Sequence, residues 1–217
     1  MKIQSFKDKT VYITGGSSGI GFATAQLLTK EGANVIIFGR NEEKLERSIA
    51  ELKTLRGNEG QIIDGMQIDV SSNTMVAEVF DKTAQRFGAP DVVINSAGRS
   101  VPHYFEDITY EQFDETMKIN MYGVRNTAAA AVPYLKKRGG WFAGVSSLAG
   151  PIPLFGFSDY SASKAAIIAF SEVLRVEMRR YDIGVSVLLP PDTDTPGYKQ
   201  ENLTKPPETK AVSEVST

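Results

Sequence analysis

The chain has 217 residues, with 24 Lys or Arg against 26 Asp or Glu, so its net charge near -2 gives no electrostatic reason to expect a nucleic-acid or anionic-membrane partner. The lack of cysteine excludes disulfides, thiolate metal sites and cysteine nucleophiles, and a single histidine, His103, excludes a multi-histidine zinc site. Any catalysis must therefore use hydroxyls, carboxylates, lysine or a cofactor.

The sequence predicts no segment that crosses a membrane. Its first ten residues carry three lysines but no apolar run of signal-peptide length, and no later window approaches the roughly 18 consecutive apolar residues of a spanning helix. We therefore expect a cytoplasmic location. After Pro190 the composition shifts towards Pro, Thr, Lys and Glu, with few apolar residues.

Short β-rich segments alternate with longer helical patterns along the chain. The predicted strands are Thr10–Thr14, Asn34–Gly39, Ile62–Gln67, Asp91–Asn95, Gly140–Ser146 and Gly184–Leu189. The predicted helices are Gly19–Glu31, Asn41–Arg56, Ser71–Phe87, Tyr110–Lys137 and Tyr160–Asp182. Strict alternation predicts an α/β, doubly wound parallel sheet in a three-layer Rossmann fold. Ligands of such sheets bind at the carboxyl ends of the strands, so the loops there should carry the chemistry.

A glycine-rich turn joins the first strand to the first helix, in the order Thr14-Gly15-Gly16-Ser17-Ser18-Gly19-Ile20-Gly21. Glycines at 15, 19 and 21 let the backbone turn tightly, approach a pyrophosphate and pack the helix against the strand. The position between a strand and a helix favours a nucleotide site over a simple helix-capping turn.

The end of the second strand indicates which dinucleotide binds. A carboxylate there would bind the ribose hydroxyls of NAD, whereas Gly39 offers none and Arg40 offers a guanidinium for a 2′-phosphate. NADP(H) is therefore the predicted cofactor, with Ser17 and Ser18 as further hydroxyl donors. Asp69, after the third strand, either meets the adenine amino group or caps the next helix.

Tyr160 and Lys164 open the long fifth predicted helix, and their four-residue spacing places both side chains on one face. A nearby ammonium favours the phenolate, as does the positive ring of an oxidised nicotinamide, so we expect the tyrosine pKa to be lowered. Such a phenol exchanges protons with an alcohol or ketone near neutral pH.

Two more polar residues accompany this pair. Ser147 ends the fifth strand, where its hydroxyl could hold a substrate oxygen beside the tyrosine, and Ser146 is a competing candidate. Asn120 is a polar residue in a largely apolar helical stretch, so burial would oblige it to find partners, such as a water chain to Lys164. With the glycine turn, these residues favour catalysis over separate structural roles.

These motifs resemble the short-chain dehydrogenase/reductase superfamily over roughly Lys7 to Pro196. Its Asn-Asn-Ala-Gly element corresponds to Asn95-Ser96-Ala97-Gly98, where Ser96 departs from the commoner second asparagine, and its catalytic tetrad matches Asn120, Ser147, Tyr160 and Lys164. The resemblance implies hydride transfer between NADP(H) and a carbonyl or alcohol. It makes Tyr160 the proton donor and Ser147 the group that orients the substrate oxygen. Lys164 would contact the nicotinamide ribose and lower the tyrosine pKa, and Asn120 would support the proton relay.

The resemblance also implies a set of cofactor-binding residues, with no metal. They are Gly15, Ser17, Ser18, Gly19, Ile20, Gly21, Arg40, Asp69, Asn95, Ala97, Gly98, Tyr160, Lys164, Pro190, Thr193 and Thr195. Thr193 and Thr195 would reach the nicotinamide carboxamide. A homo-oligomer, dimer or tetramer, is expected because long helices commonly pair across a two-fold axis in this superfamily.

A narrower resemblance follows the sixth strand. The run Pro190–Gly197, with the polar segments 201–206 and 208–210 after it, is similar to 3-ketodihydrosphingosine reductases, which reduce a lipid-like ketone with NADPH in sphingolipid synthesis. The resemblance implies that the substrate is this lipid-like ketone. It also implies that the protein is cytoplasmic or peripheral to a membrane. The alternatives are a reductase of another carbonyl, such as a 3-oxoacyl thioester, and a non-catalytic nucleotide-binding module on the same fold.

The sequence thus divides into a Rossmann-fold domain over residues 1–197 and a polar C-terminal tail over 198–217. We expect the tail to be the shortened remnant of a region that covers the substrate, and to pack little because it has few apolar residues. An apolar trough for a long chain is expected from Pro151–Phe157 on one side and from Val101, Tyr104 and Phe105 on the other.

Overall fold

A computed structural model describes residues 4–211. In this range the strands are β1 Thr10–Thr14, β2 Asn34–Gly39, β3 Ile63–Gln67, β4 Val92–Asn95, β5 Gly140–Val145 and β6 Ile183–Leu188. The helices are α1 Gly19–Lys30, α2 Glu42–Thr54, α3 Asn73–Phe87, α4 Tyr110–Met117, α5 Gly123–Leu135, α6 Ser158–Met178, α7 Pro196–Glu201 and α8 Pro207–Lys210. A π-helical turn, Lys118–Tyr122, joins α4 to α5.

The strands form one parallel sheet in the order β3-β2-β1-β4-β5-β6, which confirms the predicted doubly wound fold. The order reverses between β1 and β4, where Thr14 pairs with Phe38 on one side and Asn95 on the other. Alternate residues of β1 enter two separate cores, Tyr12 in one and Val11 with Ile13 in the other. The reversal opens a crevice at the carboxyl ends of these strands.

The fourth predicted helix is the main departure from the expected elements. The single helix expected at Tyr110–Lys137 is interrupted by the π-helical turn, and the interruption contains Asn120. That side chain is fully buried and hydrogen-bonds to another segment of backbone, a contact that a hydrophobic pattern does not reveal. Turns of this kind are frequent at functional sites.

The expectation that the polar tail packs little is wrong for residues 198–211. Glu201, Lys205 and Thr209 are buried, and the Thr209 hydroxyl donates to the carbonyl of Phe155 over 2.6 Å. Polar contacts and the buried Pro206, which packs against Gly156, hold this segment to the domain. Residues 212–217 of the predicted tail lie outside the described residues. No described helix is both long enough and apolar enough to cross a membrane.

Candidate active site

A cavity of about 520 Å³ opens at the carboxyl edge of the sheet. Its walls include the loops after all six strands. Most of the predicted site residues line it: Gly15, Ser17, Ser18, Gly19, Ile20, Arg40, Asp69, Ala97, Gly98, Ser147, Tyr160, Lys164, Pro190, Thr193 and Thr195. Gly21, Asn95 and Asn120 are not among the lining residues, so any influence they have on a ligand passes through their neighbours.

The glycine turn has the backbone that the sequence requires. Gly15 has φ +68° and Gly19 has φ +54°, conformations that other residues rarely adopt. A Cβ atom on Gly21 would lie 2.4 Å from the carbonyl oxygen of Gly15. Gly21 therefore permits close packing of α1 against the turn, while Gly15 and Gly19 present backbone to the cavity.

Two cations face the cavity at the start of α2. The Asn41 side chain caps this helix by accepting from the backbone N–H of Lys44 over 2.8 Å. Arg40 and Lys44 both line the cavity, next to Ser17 and Ser18 of the glycine turn. The sequence analysis missed Lys44, because Arg40 lies before the helix and a helical spacing does not relate the two side chains.

Asp69 lines the cavity, and the structure shows that it does not perform one of its two predicted roles, the capping of the next helix. Its Oδ1 atom accepts hydrogen bonds from the Ser71 backbone N–H over 2.9 Å and from the Ser71 hydroxyl over 2.7 Å. The cap of α3 is Ser72, whose side chain accepts from the N–H of Met75. Asp69 therefore closes the turn before the helix instead of capping it, and a contact with adenine stays a prediction.

Tyr160 and Lys164 lie together on the wall of the cavity, as their spacing predicts. The Nζ atom of Lys164 is 5.4 Å from the centre of the Tyr160 ring and donates to the carbonyl of Val145 over 2.9 Å. Lys164 is only 5% exposed, and burial lowers the pKa of its ammonium to about 8. The amine thus exchanges its proton close to neutral pH.

The expectation that the neighbouring ammonium makes the tyrosine acidic is wrong. Burial raises the pKa of Tyr160 to about 12, against a hydrogen bond with Ser147 that lowers it, and the carboxylates of Glu201 and Asp192 raise it further. The helical spacing correctly predicted a shared face but not this burial or the two anions. The phenol consequently stays protonated across the neutral range.

The two candidate serines at the end of β5 have different surroundings. The hydroxyl of Ser146 is buried and donates to the backbone carbonyl of Lys164 over 2.7 Å, which ties β5 to α6. Ser147 is hydrogen-bonded to Tyr160, and its Oγ atom accepts from the backbone N–H of Ala149 over 3.1 Å. The geometry therefore favours Ser147 as the hydroxyl that orients a substrate.

Asn120 fixes the loop that follows β4. Its Oδ1 atom accepts from the backbone N–H of Arg99 over 2.8 Å, and its Nδ2 atom donates to the Arg99 carbonyl over 3.0 Å and to the Ser163 hydroxyl over 2.9 Å. Both partners adjoin residues that line the cavity, Gly98 and Lys164. Asn120 therefore links the loop to α6, and the water chain to Lys164 stays a prediction.

Asn95 is buried at the end of β4. Its Nδ2 atom donates to the Thr127 hydroxyl over 2.9 Å, and within residues 4–211 its Oδ1 atom has no hydrogen-bond partner. The side chain holds β4 against α5, behind the cavity wall formed by Ala97 and Gly98. Asn95 therefore does not face the cavity itself, and it would affect a cofactor only by positioning Ala97 and Gly98.

The expected apolar trough is only partly formed. Val101, Leu154 and Phe157 line the cavity, whereas Phe105 and Phe155 are exposed. The sequence analysis missed the carboxylates of this region, Asp192 and Glu201, which also line the cavity. No periodic pattern marks them, since they reach the site through a short helix and its preceding loop.

Known proteins match both the sequence and the fold. The chain is 39% identical to a 3-dehydrosphinganine reductase of Danio rerio and 38% identical to a 3-ketodihydrosphingosine reductase of Bos taurus, over 95% of this chain and 63% of each relative. The chain thus spans less than two thirds of these relatives. The structure of L-sorbose reductase from Gluconobacter frateurii, complexed with NADPH and L-sorbose, superposes with a TM-score of 0.83 at 27% identity, covering 88% of this chain and 72% of that one.

The glycine turn, the cavity and the Tyr160–Lys164 pair occur together in one doubly wound domain. The short chain dehydrogenase family matches residues 9–206, which is nearly the whole described range. The chain therefore belongs to the short-chain dehydrogenase family.

Proposed function

We propose that the protein is an NADP(H)-dependent reductase that converts 3-ketodihydrosphingosine, a long-chain amino ketone, to dihydrosphingosine. The observation that carries the proposal is the meeting of Ser147, Tyr160 and Lys164 with the glycine turn in one cavity. The names of the relatives support the choice of ketone.

The residues of the cavity fit an NADP(H) molecule. Gly15 and Gly19 have no side chain, so a pyrophosphate can approach their backbone, and α1 begins at this turn with its N-terminus. Arg40 and Lys44 supply two cations for a phosphate. Ser17, Ser18, Ile20, Asp69, Ala97, Gly98, Pro190, Thr193 and Thr195 are the further residues that would hold it. When bound, NADPH supplies the hydride that reduces the ketone carbon.

The chain itself supplies the proton. With a pKa of about 12, the Tyr160 phenol is protonated at neutral pH and can donate its proton to the oxygen of a ketone as that oxygen gains negative charge. The Ser147 hydroxyl lies beside the phenol and orients the same oxygen. Lys164, with a pKa of about 8, can return a proton towards the phenol at little cost.

Substrate assays test the reductase proposal directly. We expect purified protein with NADPH to reduce 3-ketodihydrosphingosine faster than a 3-oxoacyl thioester, and Tyr160→Phe to lower kcat by about 10² or more because the proton donor is lost. Tyr110→Phe is a matched control on an exposed ring. A clear preference for the thioester would remove the lipid substrate, and full activity in Tyr160→Phe would remove the catalytic assignment.

Cofactor preference tests the cation pair. Arg40→Ala and Lys44→Ala should each raise the KM for NADPH about tenfold more than the KM for NADH, since only NADPH carries the 2′-phosphate. Lys53→Ala is the control, because this exposed lysine lies in the last turn of α2. Equal effects on both cofactors would contradict a role in binding the phosphate.

We also propose a homo-oligomer that acts in the cytoplasm, peripheral to a membrane. Exposed apolar side chains support both parts: Val173 and Val176 on α6 for subunit contacts, and Phe105 and Phe155 near the cavity for a lipid surface. Sedimentation of the protein and its flotation with phospholipid vesicles test the two parts separately. A monomer in the first assay, or no vesicle binding in the second, would contradict the corresponding part.

A further inference from the structure

Two carboxylates form an acidic corner of the cavity, Asp192 in the loop after β6 and Glu201 at the end of α7. Both side chains are mostly buried, with exposed fractions of 28% and 11%. Both are close enough to the Tyr160 phenol to act on its charge equilibrium, so the corner lies beside the group that would donate the proton. The reductase chemistry described above gives neither carboxylate a task.

The acidic corner already holds one ammonium group from the protein. The Nζ atom of Lys205 is fully buried, 2.9 Å from Glu201 Oε1 and 3.4 Å from Asp192 Oδ2. It also lies 4.4 Å from the centre of the Tyr198 ring and 5.7 Å from that of Phe157. Carboxylates and aromatic faces together are the surroundings that stabilise an ammonium.

The charges of this corner do not balance. Among residues 4–211, the carboxylates of Asp192 and Glu201 face the ammonium of Lys205, which leaves an excess of one negative charge beside Tyr160. Lys205 itself does not line the cavity, and two of the cations that do are engaged elsewhere: Arg99 pairs with Glu115, and Lys164 donates to a backbone carbonyl. Arg40 and Lys44 belong to the glycine-turn end. An uncompensated charge in a partly buried site is unfavourable, and a cationic ligand would relieve it.

The geometry of the substrate matches this imbalance. In a 2-amino ketone the amine sits on the carbon next to the carbonyl, so a substrate whose carbonyl oxygen meets Tyr160 must hold its ammonium nearby. We infer that Asp192 and Glu201 bind the ammonium of a 2-amino ketone and thereby select it over ketones that lack the amine. This inference rests on the proposed reductase function and adds a basis for substrate choice.

The test compares 3-ketodihydrosphingosine with 1-hydroxyoctadecan-3-one, which has the same chain and ketone but no amine. The measured quantity is kcat/KM for 3-ketodihydrosphingosine divided by kcat/KM for the ketone that lacks the amine. Asp192→Asn and Glu201→Gln keep the shape of each side chain and should lower this ratio about tenfold, the loss expected for a charge-assisted contact. Asp194→Asn is the matched control in the same loop, because Asp194 is half-exposed and pairs with Lys199.

A second variant separates charge recognition from a merely structural effect. Lys205→Met removes the internal ammonium and leaves both carboxylates, so the ratio should rise above the wild-type value. If the carboxylates only anchored the segment through Lys205, this variant would act in the same direction as Glu201→Gln. Thermal melting of each variant identifies any that fail to fold.

A binding assay keeps this inference separate from the proposed function. Calorimetric titration compares 2-aminooctane-1,3-diol with its N-acetyl derivative, which has no positive charge. Tighter binding of the free amine to wild type, lost in Glu201→Gln, supports the inference even if neither ketone is reduced, in which case the proposed function alone fails. Equal binding of both probes, or equal losses of kcat/KM with both ketones, would overturn the inference while ketone reduction stood.

Discussion

Replacing Lys164 with methionine should change the pH dependence of stability in a calculable way. Burial holds the pKa of this lysine at about 8 in the folded protein, against 10.5 in the unfolded chain. Between these values the unfolded state binds more protons, so the stability of the wild type rises with pH. A methionine side chain at this position would carry no proton in either state, and this contribution would vanish.

The magnitude follows from the two pKa values. The cost of burying this titrating amine is about 3 kcal/mol near pH 7, where the folded lysine is still protonated, and about 1 kcal/mol near pH 9.5, where it is mostly neutral. The unfolding free energy of Lys164→Met minus that of the wild type should therefore fall by about 2 kcal/mol over this range. The hydrogen bond to Val145 is lost at every pH, so it shifts the absolute difference much more than its slope.

Urea unfolding at a series of pH values measures this difference. The chain has one tryptophan, Trp141 in β5, whose fluorescence reports on the central sheet. The exposed Lys53→Met provides the control, and its difference from wild type should stay constant with pH. A constant difference for Lys164→Met as well would refute the argument that burial perturbs this amine.

Two further substitutions test how the close packing at Gly21 and the hydrogen bonds of Asn120 stabilise the site. Gly21→Ala should lower the unfolding free energy by about 1–3 kcal/mol and weaken NADPH binding, because its Cβ would lie 2.4 Å from a carbonyl oxygen; Gly57→Ala, whose Cβ meets nothing closer than 4.0 Å, should do neither. Thermal melts and NADPH fluorescence titrations check both. Asn120→Ala should cost about 2 kcal/mol by leaving buried polar partners unpaired, and Asn58→Ala, on an exposed residue, close to nothing. Similar urea midpoints for the last two would contradict the bridging role.

The sheet and the glycine turn could be predicted because each depends on local information. The strands β1 and β2 end where the sequence pattern ends, and the need for positive φ at Gly15 and Gly19 is a property of those residues alone. The same holds for the shared face of Tyr160 and Lys164, which a four-residue helical spacing dictates. Local rules thus predicted the glycine turn, the shared face of Tyr160 and Lys164 and the edge of the sheet where they meet, whereas most other site residues were predicted from the resemblance to the superfamily.

The direction of the tyrosine pKa could not be predicted in this way, because it depends on distant parts of the chain. Burial raises the pKa of Tyr160 most, and the carboxylates of Glu201 and Asp192 raise it further. Glu201 belongs to the tail that was expected to pack little, and Lys205 of the same tail pairs with both carboxylates. A polar segment gives no hydrophobic signal when its burial relies on paired charges. The three charged groups hold the segment in place and leave the negative charge to which we assign the substrate amine, while the two carboxylates add to the burial that raises the pKa of Tyr160.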